Sequence, residues 1–239
     1  MAHLKPQRAL HVEKHTLLVL TVYTYGKQTT MKYPSTLHLP WSPGVSRADK
    51  IAPAIDHLYE KNIVITEKLD GENTSMFIDK IHARSMDSGH HESRSWVKGF
   101  WGEICHRIPE GIQICGENLY AKHSIYYDDL DTYFYGFMAF EKGMVLSWPD
   151  TIHLFDSVGI KPVPTLSFGP LSKEYIQKRL LKPLFPATLG SETEGYVLRI
   201  IEEFPIEDFD KNIFKYVRAN HVQTDEHWTK TWVKNGLRK

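Results

Sequence analysis

The spacing of apolar positions changes period repeatedly along the chain, and each change predicts an element. Thr16 to Tyr25 is rich in β-branched and aromatic residues and alternates weakly, as a strand does. Tyr33 to Val45 carries three prolines, a glycine and two serines, and reads as an extended loop. Ala48 to Lys61 has helical spacing at Ile51, Ile55 and Leu58. Ser46 is a candidate N-cap, and Pro53 moves the helix start to Asp49 or Ala52. Asn62 to Glu67 predicts a strand, Asp70-Gly71-Glu72-Asn73 a turn, and Thr74 to Ile78 a second strand. Ser95 to Ile108 predicts a helix with Trp96, Phe100 and Ile104 on one side. Strands follow at Gly111 to Leu119, Tyr133 to Phe140 and Met144 to Ser147, then helices at Pro149 to Val158 and Ser172 to Leu181. Gly195 to Ile201 and Ile213 to Val217 close the series as strands. Strands predominate and helices interrupt them irregularly, which predicts an α+β fold and not a βαβ alternation. Without a convincing linker, residues 31–239 are expected to form one domain, with residues 1–30 as an N-terminal extension.

A chain of 239 residues with 41% hydrophobic and 24% charged residues can bury its own core without staples. The formal net charge is zero, so any nucleic-acid partner must meet a local basic surface. One candidate runs from Lys211 to the end, with seven Lys/Arg against Asp225 and Glu226; a solvated mixed-charge surface fits it equally well. Cys105 and Cys115 form no CxxC pair and suggest no disulfide framework. The run Leu17-Leu18-Val19-Leu20 is too short to cross a membrane, and no small-residue cleavage site follows it. The expected compartment is the cytoplasm, with no membrane partner.

The segment richest in chemistry is Glu67-Lys68-Leu69-Asp70-Gly71-Glu72-Asn73. A lysine that ends a strand above a tight turn is held rigidly where a cleft opens. Free lysine has a pKa near 10.4, so only about one in two or three thousand is neutral at pH 7. Making it a nucleophile takes about 4 kcal/mol of differential stabilisation, from nearby cations or desolvation. Taken alone, K-x-D-G fits a surface hairpin with a solvated Lys-Asp pair better than a nucleophile.

The segments that follow change the balance. Lys68-Leu69-Asp70-Gly71, His82-Ala83-Arg84-Ser85, Cys115-Gly116-Glu117-Asn118-Leu119, Tyr133-Phe134-Tyr135-Gly136-Phe137, Glu194-Gly195-Tyr196-Val197-Leu198-Arg199 and Phe214-Lys215-Tyr216-Val217 resemble, in order, the motifs of the covalent nucleotidyltransferase superfamily. That superfamily contains polynucleotide ligases and capping guanylyltransferases. Asn73, two residues after the motif glycine, makes the chain similar to the RNA ligase 2-like, ATP-dependent RNA ligases, as do the entry loop Tyr33 to Gly44 and the tail Asn220 to Trp228. The resemblance implies an adenylation domain with two twisted, largely antiparallel sheets flanked by helices around an ATP cleft.

It also implies a reaction, the joining of RNA 5′-phosphate and 3′-hydroxyl ends with ATP and Mg²⁺ or Mn²⁺. Lys68 would take AMP, pass it to the 5′-phosphate, and leave the activated end to a 3′-hydroxyl. In this mapping Lys215 approaches the α-phosphate and keeps Lys68 neutral by like-charge repulsion. Arg84 holds phosphate or ribose with its planar fork. Glu117 orients the ribose, Phe137 stacks on adenine, and Glu67 and Arg199 add nucleotide contacts. Glu194 coordinates the divalent metal through water. Asp70 and Asn73 face the nucleic-acid ends. The last motif departs from the K-x-K of this group: Tyr216 and Val217 follow Lys215, and Arg218 faces the other side of a regular strand. Arg199 and Arg218 are the candidates to replace the missing cation. With little chain after the last motif, no separate C-terminal OB domain is expected, and RNA engagement would draw on the basic tail, the N-terminal extension or a partner protein. His221, Asp225, Glu226 and His227 fit no zinc spacing, and there is no P-loop or G-x-G-x-x-G. Two alternatives remain: a DNA or hybrid nick ligase or capping-type guanylyltransferase, and a nucleotide- or RNA-binding protein that keeps the fold without ligation.

Overall fold

A computed structural model describes residues 31–84, 91–181, 185–221 and 232–239, all within the compact unit Met31–Lys239. The strand predicted at 16–25, Ser85 of the second motif, and the tail residues Asp225, Glu226 and His227 lie outside the described residues. The strands are β1 (Leu37–His38), β2 (Asn62–Lys68), β3 (Glu72–Met76), β4 (Ile81–Ala83), β5 (Ile112–Asn118), β6 (Phe134–Glu141), β7 (Met144–Val145), β8 (Lys161–Pro162), β9 (Thr165–Pro170), β10 (Gly195–Ile200), β11 (Phe204–Pro205) and β12 (Ile213–Val217). The α-helices are α1 (Ser95–Ile104), α2 (Trp148–Val158), α3 (Lys173–Tyr175) and α4 (Phe209–Asn212).

The strands form two sheets. One runs β1-β12-β10-β2-β9; the other runs β11-β7-β6-β5-β3-β4, with β8 pairing β6. Every ladder is antiparallel except β1 with β12 and β6 with β8. The fold is therefore α+β with two largely antiparallel sheets. Among the described residues no helix is long and apolar enough to cross a membrane.

Alternation explains why these segments pair. In β10 and β12 the residues Tyr196, Leu198, Phe214 and Tyr216 turn to one core, where Tyr196 stacks on Tyr216 with ring centroids 4.8 Å apart. Their neighbours Val197 and Lys215 turn to the other face, which lines a cavity. α1 buries Val97 and Ile104 and stacks Trp96 on Phe100. α2 starts where the Ser147 hydroxyl accepts the Asp150 N–H, and ends at Gly159 with φ 91°.

The helix expected over Ala48 to Lys61 does not form; only a 3-10 turn, Asp56–Leu58, is present. The reason lies in the backbone. His38 N–H donates to the Lys50 carbonyl and Ala52 N–H to the His38 carbonyl, at 2.8 Å each, which draws residues 50–52 into extended pairing. Pro53 then has no N–H to continue a helix. The expected helix at Ser172 to Leu181 is a single α turn followed by a π-helical turn, Ile176–Leu180. β9 went unpredicted because its side chains are mostly half-buried or exposed and alternate little.

Candidate active site

Strand register, not sequence distance, assembles the site. Lys68 ends β2 directly opposite Gly195 of β10, so Glu194, one residue before the strand, reaches across it. The Lys68 Nζ donates to Glu194 Oε2 at 2.5 Å. Gly195 has to be glycine, since a Cβ there would lie 1.9 Å from the Tyr216 carbonyl oxygen. Thr66, Val197 and Lys215 form one cross-strand row on the same face as Lys68. That places the Lys215 Cα about 12 Å from the Lys68 Cα, two strands over and two residues along, within reach of two long side chains.

The opposing wall comes from the second sheet. Asn73 pairs with Glu117 across β3 and β5. Between β5 and β6 the register shifts: Gly116 faces Gly136 and Cys115 faces Met138, which leaves Phe137 as an extra residue. A bulge of this kind re-aims side chains, and the adjacent Phe137 and Met138 both line the cavity. The cavity between the walls measures about 680 Å³, and Lys68, Glu67, Asn73, Arg84, Glu117, Phe137, Arg199 and Lys215 all contribute to its lining. That volume suits a nucleotide-sized ligand.

The contacts of these residues differ in kind. Arg84 Nη2 donates to the Ser35 hydroxyl at 3.0 Å and is otherwise open to solvent. Phe137 meets the Tyr33 ring edge-on, with centroids 5.3 Å apart. The Glu67 carboxylate is buried and accepts from Thr188 N–H and hydroxyl, so it fixes the end of β2. Arg199 is buried, with Nε and Nη2 donating to the Ile200 and Leu146 carbonyls and Nη1 left without a partner. Burial lowers its pKa to about 10. Asn73 Oδ1 is likewise buried without a partner. With Glu67 Oε1, three orphaned polar atoms on cavity-lining residues fit a polar ligand between the sheets. Arg218 pairs with Glu192, and its N–H donates to the Glu194 carbonyl; it does not line the cavity. Of the two candidate replacement cations, only Arg199 faces the cleft.

Two placements differ from what the resemblance implies. The Asp70 carboxylate faces backbone, with Oδ2 accepting from Ser124 N–H at 2.7 Å and Ile125 N–H at 2.8 Å. Lys215 pairs with Asp49 Oδ1 at 3.0 Å instead of standing against Lys68. Burial pulls the Lys68 ammonium down, but the carboxylates of Glu194 and Glu117 more than reverse it, so the amine is protonated in this state. His221 Nε2 lies 3.5 Å from Glu194 Oε1, a contact no sequence signal marked. Asp49 carried a faint one, as the third residue after Ser46 in a cap-like pattern.

Burial pushes the Glu117 carboxyl up to about 8; Lys68 opposes this, and Glu194 and Asp70 reinforce it. Its folded pKa thus lies above the ordinary value of about 4.3. Such a group contributes stability that is complete below the unfolded pKa and is lost as pH rises through the folded pKa. The window is about pH 4.3 to 8. Glu117→Gln keeps the acceptor for Gly71 N–H, which donates to Oε1 at 3.1 Å, and removes the titration. We expect the variant to be more stable than the parent at pH 8.5, by on the order of 1–2 kcal/mol after allowing for solvent at the cavity-facing carboxyl, or about 2–8 °C. The two should converge near pH 5, as thermal melts at both values will show.

Among the described residues no group of three or more His, Cys, Asp or Glu side chains could hold a metal ion. Glu194 holds Lys68 on Oε2 and has His221 3.5 Å from Oε1, so a Mg²⁺ there would replace one of these contacts and take its other ligands from water and substrate phosphates. A family model described as RNA ligase matches residues 61–217, about two thirds of the chain. Among solved structures, the chain is similar to an RNA ligase of Naegleria gruberi with PPi, at TM-score 0.50 and 16% identity, covering 83% of this chain and 62% of that one. It is also similar to an archaeal ATP-dependent RNA ligase, at TM-score 0.48 and 14% identity, covering 79% and 48%. The chain thus spans about half to three fifths of the length of these structures. A search of curated proteins gave no match.

Proposed function

Because the chain belongs to the RNA ligase family, we propose that it seals RNA 5′-phosphate and 3′-hydroxyl ends with ATP, through a covalent lysyl-AMP at Lys68. The observation that carries this is a lysine fixed at a strand end in the cavity, 2.5 Å from a buried carboxylate, with a second lysine on the same sheet face.

The chemistry follows from the placement. Glu194 holds the Lys68 amine in one orientation, which supplies much of the advantage of an intramolecular reaction. After losing its proton, the nitrogen attacks the α-phosphorus, an N–P bond forms, and the bond to pyrophosphate breaks. An oxygen of an RNA 5′-phosphate then attacks the same phosphorus and frees the lysine. Last, a 3′-hydroxyl attacks the 5′-phosphorus and AMP leaves. Charge develops on phosphoryl oxygens in each step, so cations decide the rate. Arg84 is exposed enough to swing its fork onto a phosphate. Lys215 has two further N–H donors beyond the one on Asp49. Phe137 offers a ring face to adenine, and Glu117, held by Gly71 N–H, faces the ribose. Asn73, with its unpartnered Oδ1, positions the 3′-hydroxyl. A divalent metal, Mg²⁺ or Mn²⁺, held by Glu194 and the substrate phosphates, would supply further charge neutralisation.

The test is to incubate the protein with α-labelled ATP and either metal, denature it, and measure label on the polypeptide, after checking for AMP already bound. Label that then moves to 5′-phosphorylated RNA and ends in a sealed product supports the proposal. No label with either metal overturns it. Parallel arms with GTP and with DNA or hybrid ends separate RNA ligation from capping-type transfer and from nick sealing in DNA.

A further inference from the structure

Lys215 has a partner that neither the motifs nor the proposed reaction uses. The loop from Leu39 to Ala52 is bound to the strand that carries Lys215. Leu39 N–H donates to the Lys215 carbonyl at 2.8 Å, and Gly44 N–H to the Val217 carbonyl at 2.9 Å. The Ser42 hydroxyl accepts the Val217 N–H at 2.9 Å. The loop and β12 are therefore one hydrogen-bonded body. Asp49 sits on that loop, and its carboxylate is fixed from two sides. Ser46 donates to Oδ2 from its N–H at 3.0 Å and its hydroxyl at 2.7 Å. Oδ1 remains for the cavity side, where Lys215 Nζ donates to it at 3.0 Å. His38 backs the pair, with Nε2 3.3 Å from Oδ1 and Nδ1 2.8 Å from the Ser42 hydroxyl. It lies opposite Lys215 in the β1–β12 register.

Lysine is a compact charge on a flexible four-carbon stem, and its orientation is costly to fix at the moment of reaction. We propose that Asp49 is the positioning residue for Lys215: its carboxylate, rigid on the β12-bound loop, holds the Lys215 ammonium at the cavity wall, ready for the nucleotide's phosphate. The ammonium has three N–H donors and spends one on Asp49, which leaves two for phosphate oxygens. The pair is partly buried, with the two side chains 21% and 28% exposed, so solvent screens it incompletely. This inference rests on the adenylation reading above for its consequence, and on geometry alone for the contact.

The experiment is a double-mutant cycle on the full chain. Asp49→Asn keeps an oxygen for Ser46 and removes the charge. It should slow lysyl-AMP formation at saturating ATP about tenfold, the scale of one charge-assisted hydrogen bond. Asp49→Glu should recover part of that rate. In the Lys215→Ala background, Asp49→Asn should add less than about twofold, because the residue it positions is gone. An equal loss in both backgrounds, or no loss in the parent, overturns the proposal. Mass-spectrometric footprinting of Lys215 with an amine-acylating reagent reads the contact without activity. Asp49→Asn should raise acylation at Lys215 several-fold, and unchanged acylation overturns the proposal even if the protein takes no AMP. A wild type that takes no label but shows the footprinting change sinks the ligase reading alone.

Discussion

Lys68→Ala is expected to lower covalent labelling from α-labelled ATP by at least about 10⁴-fold, the scale on which losing a nucleophile acts. Alanine also breaks the contact to the buried Glu194, so the fold needs its own control. Lys68→Arg supplies it. Arginine keeps the positive charge beside Glu194, yet its guanidinium stays protonated and offers no lone pair for attack. Both variants should lose the label, while Lys68→Arg should melt close to the parent. Both should still seal RNA supplied with a pre-adenylylated 5′ end, to within about tenfold, because that last step forms no bond to Lys68. The parent has a pH signature as well. Burial opposes the charged amine, but Glu194 and Glu117 hold its pKa above the ordinary value. Below the Glu117 titration near pH 8 the neutral fraction rises about tenfold per pH unit, so labelling should climb with a logarithmic slope of about one from pH 6 to 7 and less steeply as Glu117 gains its charge. Label that persists in either variant would place the nucleophile elsewhere.

Much of this site is visible along the chain for a physical reason. A strand that faces a cavity on one side and a core on the other must alternate, so β2, β10 and β12 announce themselves, and so do the charged residues on their cavity faces. Register is not visible in that way. Nothing local says that Lys68 stands opposite Gly195, 127 residues later, or that the bulge at Gly116 turns Phe137 and Met138 together into the cleft. The segment at 48–61 misleads because part of its apolar spacing is real: Ile55 and Leu58 are buried, while Ile51 is exposed. They are buried from a loop and a single 3-10 turn, since His38 takes up the backbone of residues 50 and 52. Asp49 is hidden for the same reason, as its partner lies 166 residues away.

Asp70 is where the sequence and the structure part most sharply, and Asp70→Ala carries the largest stability effect expected here. In the motif it reads as an acid that faces the nucleic-acid ends. In the fold its Oδ2 accepts two backbone N–H groups, from Ser124 and Ile125. Its own N–H donates to the Tyr127 hydroxyl at 2.8 Å. The chain of contacts continues: Tyr127 N–H donates to Asn235 Oδ1, and Asn235 Nδ2 donates to the Leu119 carbonyl. Asp70 therefore joins the turn after Lys68 to the loop at 123–127 and, through it, to the C-terminal residues. Alanine would leave two amides without an acceptor in a part-buried site, at about 1–3 kcal/mol each. The expected cost is about 3 kcal/mol or more, on the order of 6–12 °C in melting temperature. Because the same turn orients Lys68, labelling should fall by about 10²-fold. Asp70→Asn keeps one acceptor oxygen and should cost only about 1 kcal/mol. A carboxylate that served the RNA ends would behave differently. Its alanine variant would melt with the parent, form lysyl-AMP at the parent rate, and stall only at sealing. Thermal melts and labelling on the two variants decide between a strut beneath the nucleophile and a hand on the substrate.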